Sequence, residues 1–248
     1  MSRDASARRP YLLRAPWSLA PVVLTCEHAT RRLPFTNGIG SAHRRILRSH
    51  WGWDIGAWEL TCDLARRLKT SAIGGRFSRL LIDYNRRVDD PTLIRSEAGG
   101  VALPWNAGLR PEEVERRILT YHAPYHEAID RLILRRLVRG VRPLLLAIHS
   151  FTPVYDGEIR RFDIGVLYER HPRRARRLGR ALREAGWKVR YNQPYSGMAG
   201  MMYAVDRHGS HHRLPCLELE VNDRLFEQRS FVTRLGSTVA RTLRDLLP

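Results

Sequence analysis

Leu144-Leu-Leu-Ala-Ile148, entered from Pro143 and followed at once by His149-Ser150, is an unbroken apolar run of strand length, bounded as a fully buried strand is. Working outward, Pro21-Val-Val-Leu-Thr-Cys26 reads the same way and leads into Glu27-His28. Asp163-Ile-Gly-Val-Leu167, Trp187-Lys-Val-Arg-Tyr191 and Cys216-Leu-Glu-Leu-Glu-Val221 add further strands, and Ser71-Ala-Ile-Gly74 and Leu80-Leu-Ile-Asp83 read as strand ends. Helical spacing of apolar residues predicts helices over 41–49, Ile55–Leu68, Arg173–Ala185 (stopped by Gly186) and Ser230–Leu247. Pro111-Glu-Glu opens a longer helix with proline and acidic residues in its first turn, running to Arg139 with a kink near Pro124 and ended by Gly140. A loop rich in proline and glycine, Asp89 to about Pro111, precedes it. Strands alternating with helices predict an α/β sheet covered by helices, in one domain over residues 1–248, with residues 1–20 as a loosely ordered N-terminal arm.

Composition narrows the function classes. The 248 residues are 43% hydrophobic and 27% charged, enough to bury a core and too apolar for a disordered chain. No run approaches the ~20 apolar residues of a bilayer span, and no apolar stretch follows the arginines of the first 17 residues as a secretory signal requires. Three cysteines, Cys26, Cys62 and Cys216, form no CxxC pair, so neither a disulfide scaffold nor a zinc finger is expected, and a reducing cytoplasm is. The net charge of +18 is almost wholly arginine, since Lys69 and Lys188 are the only lysines. Its densest runs, His171–Arg180 and Arg131–Arg136, fit amphipathic helices whose basic residues face water. No RNP-like, helix-turn-helix or zinc-finger pattern accompanies them, so a nucleic-acid partner is not expected.

Residues able to bind metal or move protons follow several strands, where open α/β sheets build their sites. Glu27-His28 follows the first strand and His149-Ser150 the central one. Glu218 and Glu220 alternate on a late strand and so share a face. Asp83-Tyr-Asn-Arg86 and His50-Trp-Gly-Trp-Asp54 bring further polar groups. A hydrolytic zinc site takes three His or carboxylate ligands and leaves a position for water. His28, Asp54 and His149 could supply the ligands, and Glu220 the base that takes the water's proton. Ligands spread over 120 residues make no local motif, and a lone histidine after a strand also serves as a structural hydrogen-bonder.

Thr25-Cys-Glu-His-Ala-Thr30 with Pro34, Trp53-Asp-Ile-Gly-Ala57, Ser78-Arg-Leu-Leu-Ile-Asp-Tyr-Asn-Arg86, Ile148-His-Ser-Phe-Thr-Pro153 and Glu220-Val-Asn-Asp223, in this order, resemble the N-formylglutamate amidohydrolase family. The resemblance implies a single-domain mixed sheet flanked by helices, akin to zinc exopeptidases and aspartoacylases, with the metal at the carboxyl edge of the sheet. Relatives in that wider group use a His-x-x-Glu pair and a distant histidine. Here Arg31 stands three residues after His28, so the second ligand is assigned to Asp54 with Glu27 as its substitute, and His149 matches the distant histidine. The resemblance implies Glu220 as the base, in preference to Glu218. Asp-Tyr-Asn-Arg86 resembles the element that holds substrate in aspartoacylase-like enzymes. A guanidinium fork suits a carboxylate, which assigns Asn85 and Arg86 to substrate or oxyanion and makes Arg79 a second carboxylate ligand or a salt-bridge partner.

Ser150 and Ser196, the latter in a Pro-x-Ser-Gly stretch that lies near substrate in the resembled family, complete the substrate side. His122 and His126 share a helical face at i and i+4 with no acidic partner following. An ordinary helix face is expected of them, with His126 kept as a substrate-side donor. Cys26 beside His28 permits a thiol nucleophile, but buried cysteine is usually inert. The expected activity is therefore a metal-dependent hydrolase, carrying Zn2+ or another divalent ion, that cleaves an acidic N-acyl amino acid. The default is N-formyl-L-glutamate, giving formate and L-glutamate. The alternatives are another N-acyl amino acid, or a degraded, basic polyanion-binding protein on the same fold.

Overall fold

The computed structural model describes residues 9–246. In chain order it runs β1 (Tyr11–Arg14), β2 (Val22–Cys26), α1 (Ser41–Arg48), α2 (Ala57–Leu68), β3 (Ser71–Gly75) and the small hairpin β4 (Glu97–Ala98) and β5 (Val101–Ala102). There follow α3 (Pro111–Arg117), α4 (Ala123–Leu137), β6 (Leu144–Phe151) and the hairpin β7 (Val154–Tyr155) and β8 (Glu158–Ile159). The chain closes with β9 (Ile164–Leu167), α5 (Pro172–Glu184), β10 (Val189–Tyr191), α6 (Tyr203–His211), β11 (Cys216–Asn222) and α7 (Phe231–Leu246).

Seven strands form one mixed sheet in the order β1-β3-β2-β6-β11-β9-β10. The four in the middle, β3, β2, β6 and β11, are parallel; β1 runs antiparallel to β3 and β9 antiparallel to β11. Side chains alternate across this sheet. Val22, Leu24, Leu146, Ile148, Leu217 and Leu219 pack toward α2, α5 and α7, in one core with Leu64, Leu178 and Val239. Val23, Leu145, Ala147 and Cys216 turn to the other face, against Tyr125, Ile129 and Ile133 of α4 and Val205 of α6. The mixed α/β sheet with flanking helices is thus as expected. The apolar stripe of α5, with Ala175, Leu178 and Leu182 buried, leaves most of its arginines toward solvent.

Four expectations change. Residues 11–14, assigned to a loose arm, form the edge strand β1 in register with Ala72–Gly75; residues 1–8 lie outside the described part. Leu80–Asp83 is a turn rather than a strand, because its backbone bonds close locally, Leu81 N–H to Ser78 O and Asp83 N–H to Leu93 O. Its side chains are nonetheless buried, in two satellite clusters. The helix opened by Pro111 is divided at a π turn, Ile118–His122, where Ala123 N–H bonds back to Ile118 O. Pro124 has no N–H to continue the regular ladder, and the slip of one residue absorbs it. Finally α6 arises in a segment with no strong apolar period.

Arg136 also departs from the water-facing pattern. It is fully buried, and its guanidinium ties three segments together: Nε donates to Ala20 O at 2.8 Å, Nη1 to Leu132 O at 2.8 Å and Nη2 to Ser71 Oγ at 3.1 Å. Removing the donor strands these buried acceptors. Arg136→Ala should therefore lower stability by about 2–4 kcal/mol in urea unfolding, whereas Arg131→Ala, on the exposed face of the same helix, should change it by less than about 0.5 kcal/mol.

Candidate active site

Sheet register brings the polar residues together. His149 on β6 pairs with Glu220 on the parallel strand β11 and Ala147 with Glu218, so His149, Glu218 and Glu220 share the face covered by α4 and α6, near the carboxyl ends of both strands. Gly165 on β9 stands opposite Glu220. A Cβ there would strike the Gln193 carbonyl and crowd the Glu220 side chain, so glycine keeps the room open. His28 follows β2 directly. Asp54 is fixed by its backbone N–H to His28 O at 2.9 Å, and Gly56, with φ +77°, turns the chain from there into α2.

These elements floor a cavity of about 830 Å3 lined by His28, Asp54, His149, Ser150, Asn85 and Glu220, with Arg79, Arg86 and Arg95 also on its wall. At its base the carboxylate of Asp54 meets both imidazoles. His149 Nδ1 lies 2.7 Å and His28 Nδ1 3.5 Å from Asp54 Oδ2. The outer ring nitrogens are held by other carboxylates, His28 Nε2 by Asp83 Oδ1 at 2.7 Å and His149 Nε2 by Glu27 Oε2 at 2.8 Å. Asp83 accepts the His28 Nε2 proton and also the Asn85 backbone N–H at 2.8 Å. With that proton on Nε2, the neutral ring turns a lone pair toward Asp54 from Nδ1, an atom buried without a hydrogen-bond partner.

A lone pair facing a carboxylate oxygen in a dry site is repulsive unless a cation lies between them. One atom from each of His28, Asp54 and His149 lies within 4.8 Å of the others, the donor set of a three-ligand divalent-metal site. Each imidazole carries the outer carboxylate that such ligands usually have. The residues present therefore fit a divalent ion.

Electrostatics agree with a cation-seeking pocket. Burial, then the charge of Arg79, pushes His28 down to about 4 against the pull of Asp83. Burial also lowers His149, but Glu218, Glu27 and Glu220 together hold it up at about 10. Glu220 is pushed well above the ordinary carboxylate range by burial; His149 opposes this and Glu218 adds to it. Its Oε2 is buried with no partner.

The other expected residues divide. Asp54, not its substitute Glu27, joins the two histidines. Glu27 lies behind the cluster with both oxygens engaged, Oε2 by His149 and Oε1 by the Tyr125 hydroxyl at 2.9 Å. Arg79 lines the cavity but donates Nη2 to Asp54, leaving a buried Nε without a partner. Asn85 accepts Ala204 N–H at its Oδ1, 2.8 Å, which leaves its amide NH2 as the free end. Arg86 sits at the rim, its Nε on Thr92 Oγ1 at 3.1 Å. Ser150 donates its N–H to Asp54 Oδ2 at 3.3 Å.

His126 is a correction. It is buried away from the cavity with both nitrogens engaged, Nδ1 by His208 and Nε2 by the Tyr84 carbonyl, so it offers nothing to a substrate there. Ser196 is also absent from the cavity lining, where its neighbour Tyr195 appears instead. Burial drives the Cys26 thiol up to about 12, which removes it as a nucleophile. Sequence reasoning did not assign roles to Asp83, Tyr125, His50 or Arg95. Asp83 stood inside the quoted Asp-Tyr-Asn-Arg86 string, yet its bond to His28 spans 55 residues and no spacing reveals it.

The N-formylglutamate amidohydrolase family profile matches residues 20–227. Among solved structures, gene product Atu2144 of Agrobacterium tumefaciens is similar at 26% identity and a TM-score of 0.88, with 96% of each chain covered. The N-formylglutamate amidohydrolase of Ralstonia eutropha JMP134 is similar at 23% identity and a TM-score of 0.74, covering 95% of this chain and 96% of that one, a likeness of fold. No curated protein matches the chain.

The raised Glu220 carboxyl has a measurable consequence for the metal-free protein. A carboxyl whose folded-state pKa exceeds its unfolded one supports the fold while neutral, and that support is lost as pH rises through the folded value. Glu220→Gln should then raise the melting temperature relative to the parent at pH 9 and do so much less at pH 5, in thermal scans with chelator present.

Proposed function

The chain belongs to the N-formylglutamate amidohydrolase family, and from that premise we propose that it is a metal-dependent hydrolase of N-acylated amino acids, with N-formyl-L-glutamate as its substrate. The observation that carries this reading is the unpartnered Nδ1 of His28, aimed with His149 Nδ1 at one Asp54 oxygen on the floor of the cavity that Glu220 also lines. His28, Asp54 and His149 would hold the divalent ion, zinc by default. Such an ion supplies Lewis-acid polarisation of the scissile carbonyl and lowers the pKa of the attacking water.

The protein's own groups do the rest. Glu220 accepts the proton of the water as its oxygen bonds to the acyl carbon, and the buried site keeps this carboxyl basic enough to do so. The C–N bond then breaks, the same proton passes from Glu220 to the departing nitrogen, and the products are formate and the free amino acid. The Asn85 amide and the Arg86 guanidinium bind a substrate carboxylate or steady the oxyanion. Arg79 and Arg95 add positive charge to the cavity wall, which favours an acidic side chain over a neutral one. Asp83 and Glu27 keep the imidazoles in the tautomers and orientations that ligation needs.

The test is formate release from N-formyl-L-glutamate by zinc-loaded protein, beside neutral N-formyl and N-acetyl amino acids. Turnover strongest for the acidic formyl substrate is expected, and no turnover of any N-acyl amino acid would contradict the reading. Glu220→Gln should lower kcat by about 10^2–10^4-fold while bound metal is retained. Asp83→Asn, which leaves His28 without its carboxylate, should weaken metal affinity or activity by about 10–100-fold.

A further inference from the structure

A second group of metal-ligating side chains lies outside the cavity. Asp130 on α4 and His208 and His212 at the C-terminal end of α6 bring one ligand atom each within 4.8 Å of the others. His208 Nδ1 lies 2.7 Å and His212 Nε2 2.8 Å from the same oxygen, Asp130 Oδ1. The two histidines are spaced i and i+4, and the backbone bond from His212 N–H to His208 O at 3.1 Å holds that last turn together.

Hydrogen-bond accounting shows why this group calls for a cation. The Tyr84 carbonyl can only accept, so His126 Nε2, 3.0 Å away, carries the proton. Neutral His126 then accepts at Nδ1 from His208 Nε2–H, at 3.0 Å. Neutral His208 in turn directs the lone pair of its Nδ1 at the Asp130 carboxylate. The chain of bonds closes only if one positive charge resides at this end, as an extra proton on the imidazole pair or as a metal ion among His208, His212 and Asp130. The arrangement around His208 is that of a metal-ligating histidine: one nitrogen inward, the other oriented by a buried partner. Asp130 keeps partial exposure, with 29% of its side-chain surface open to solvent, and so leaves an approach for an ion.

We propose that Asp130, His208 and His212 form a second site for a divalent transition ion such as zinc, clamping α6 against α4. The site stands independently of the chemistry assigned to the cavity, though it abuts it structurally. The N-terminal end of α6 donates Ala204 N–H to Asn85, and His126 holds the Tyr84 carbonyl in the same turn. An ion at the far end of α6 therefore braces the turn that presents Asn85 and Arg86 to the cavity.

The test titrates zinc chloride into chelator-treated full-length protein, with bound metal counted by mass spectrometry after desalting. The parent should bind two equivalents, and His149→Ala and Asp130→Asn one each. The double variant should bind none. Zinc should raise the melting temperature of His149→Ala but not of the double variant. His212→Gln, near the helix end, gives a second way to empty the site should Asp130→Asn unfold, with circular dichroism as the check. Equal zinc content in His149→Ala with and without the Asp130 or His212 substitution would overturn the proposal. Failure of His149→Ala to lose an equivalent would count against the cavity metal instead.

Discussion

A carboxylate cut off from water, that of Asp54, is where the separate parts of this protein meet. Its Oδ2 faces the Nδ1 atoms of His149 and His28 and accepts the Ser150 N–H, while Oδ1 takes Arg79. These partners come from the strand β6, the turn after β2 and the segment after β3. An ion in this setting must be paired and hydrogen-bonded or it unfolds its surroundings. The carboxyl edge of the sheet is accordingly organised to satisfy one buried charge, and the same organisation turns two imidazole Nδ1 atoms toward one carboxylate oxygen.

The sheet makes this possible through an asymmetry between its faces. One face is apolar along β2 and β11 and along β6 as far as Ile148, and is closed by α2, α5 and α7. The other begins apolar under α4 and turns polar toward the strand ends, where Glu27, His149, Glu218 and Glu220 lie. Burying four ionisable groups in one layer costs stability. The cost is contained because each inner group has an outer partner: Tyr125 for Glu27, Glu27 for His149 and Asp83 for His28. Glu218 and Glu220 are the exceptions, each with a buried oxygen that has no hydrogen-bond partner, and of the two Glu220 lines the cavity. A cavity carboxyl raised above its ordinary range suits the role of proton acceptor that we propose for Glu220.

Much of the architecture was legible in the sequence for a simple reason. Strands covered on both faces leave unbroken apolar runs, as at Leu144–Ile148, and the polar residues that terminate them mark the functional edge. Local patterns also exposed His28, Asp54, His149 and Glu220 as candidates. What stayed hidden depends on contacts distant in sequence. Tyr11–Arg14 becomes a strand only because β3, some sixty residues on, offers an edge. Arg136 looks like any solvated helix arginine until Ala20, Thr70 and Ser71 close over it. His126 has the spacing of a ligand, yet Tyr84 and His208 consume both its nitrogens. Which of Asp54 and Glu27 lies between the two Nδ1 atoms is likewise a property of tertiary packing rather than of spacing.

The most direct test of the central claim is a crystal structure of the zinc-loaded protein with anomalous data collected on both sides of the zinc edge. The account predicts an anomalous peak bonded to His28 Nδ1, His149 Nδ1 and an Asp54 oxygen, with Asp83 and Glu27 still holding the outer nitrogens. A fully loaded crystal with no peak at that position, or with His28 turned to ligate through Nε2 and released from Asp83, would contradict it.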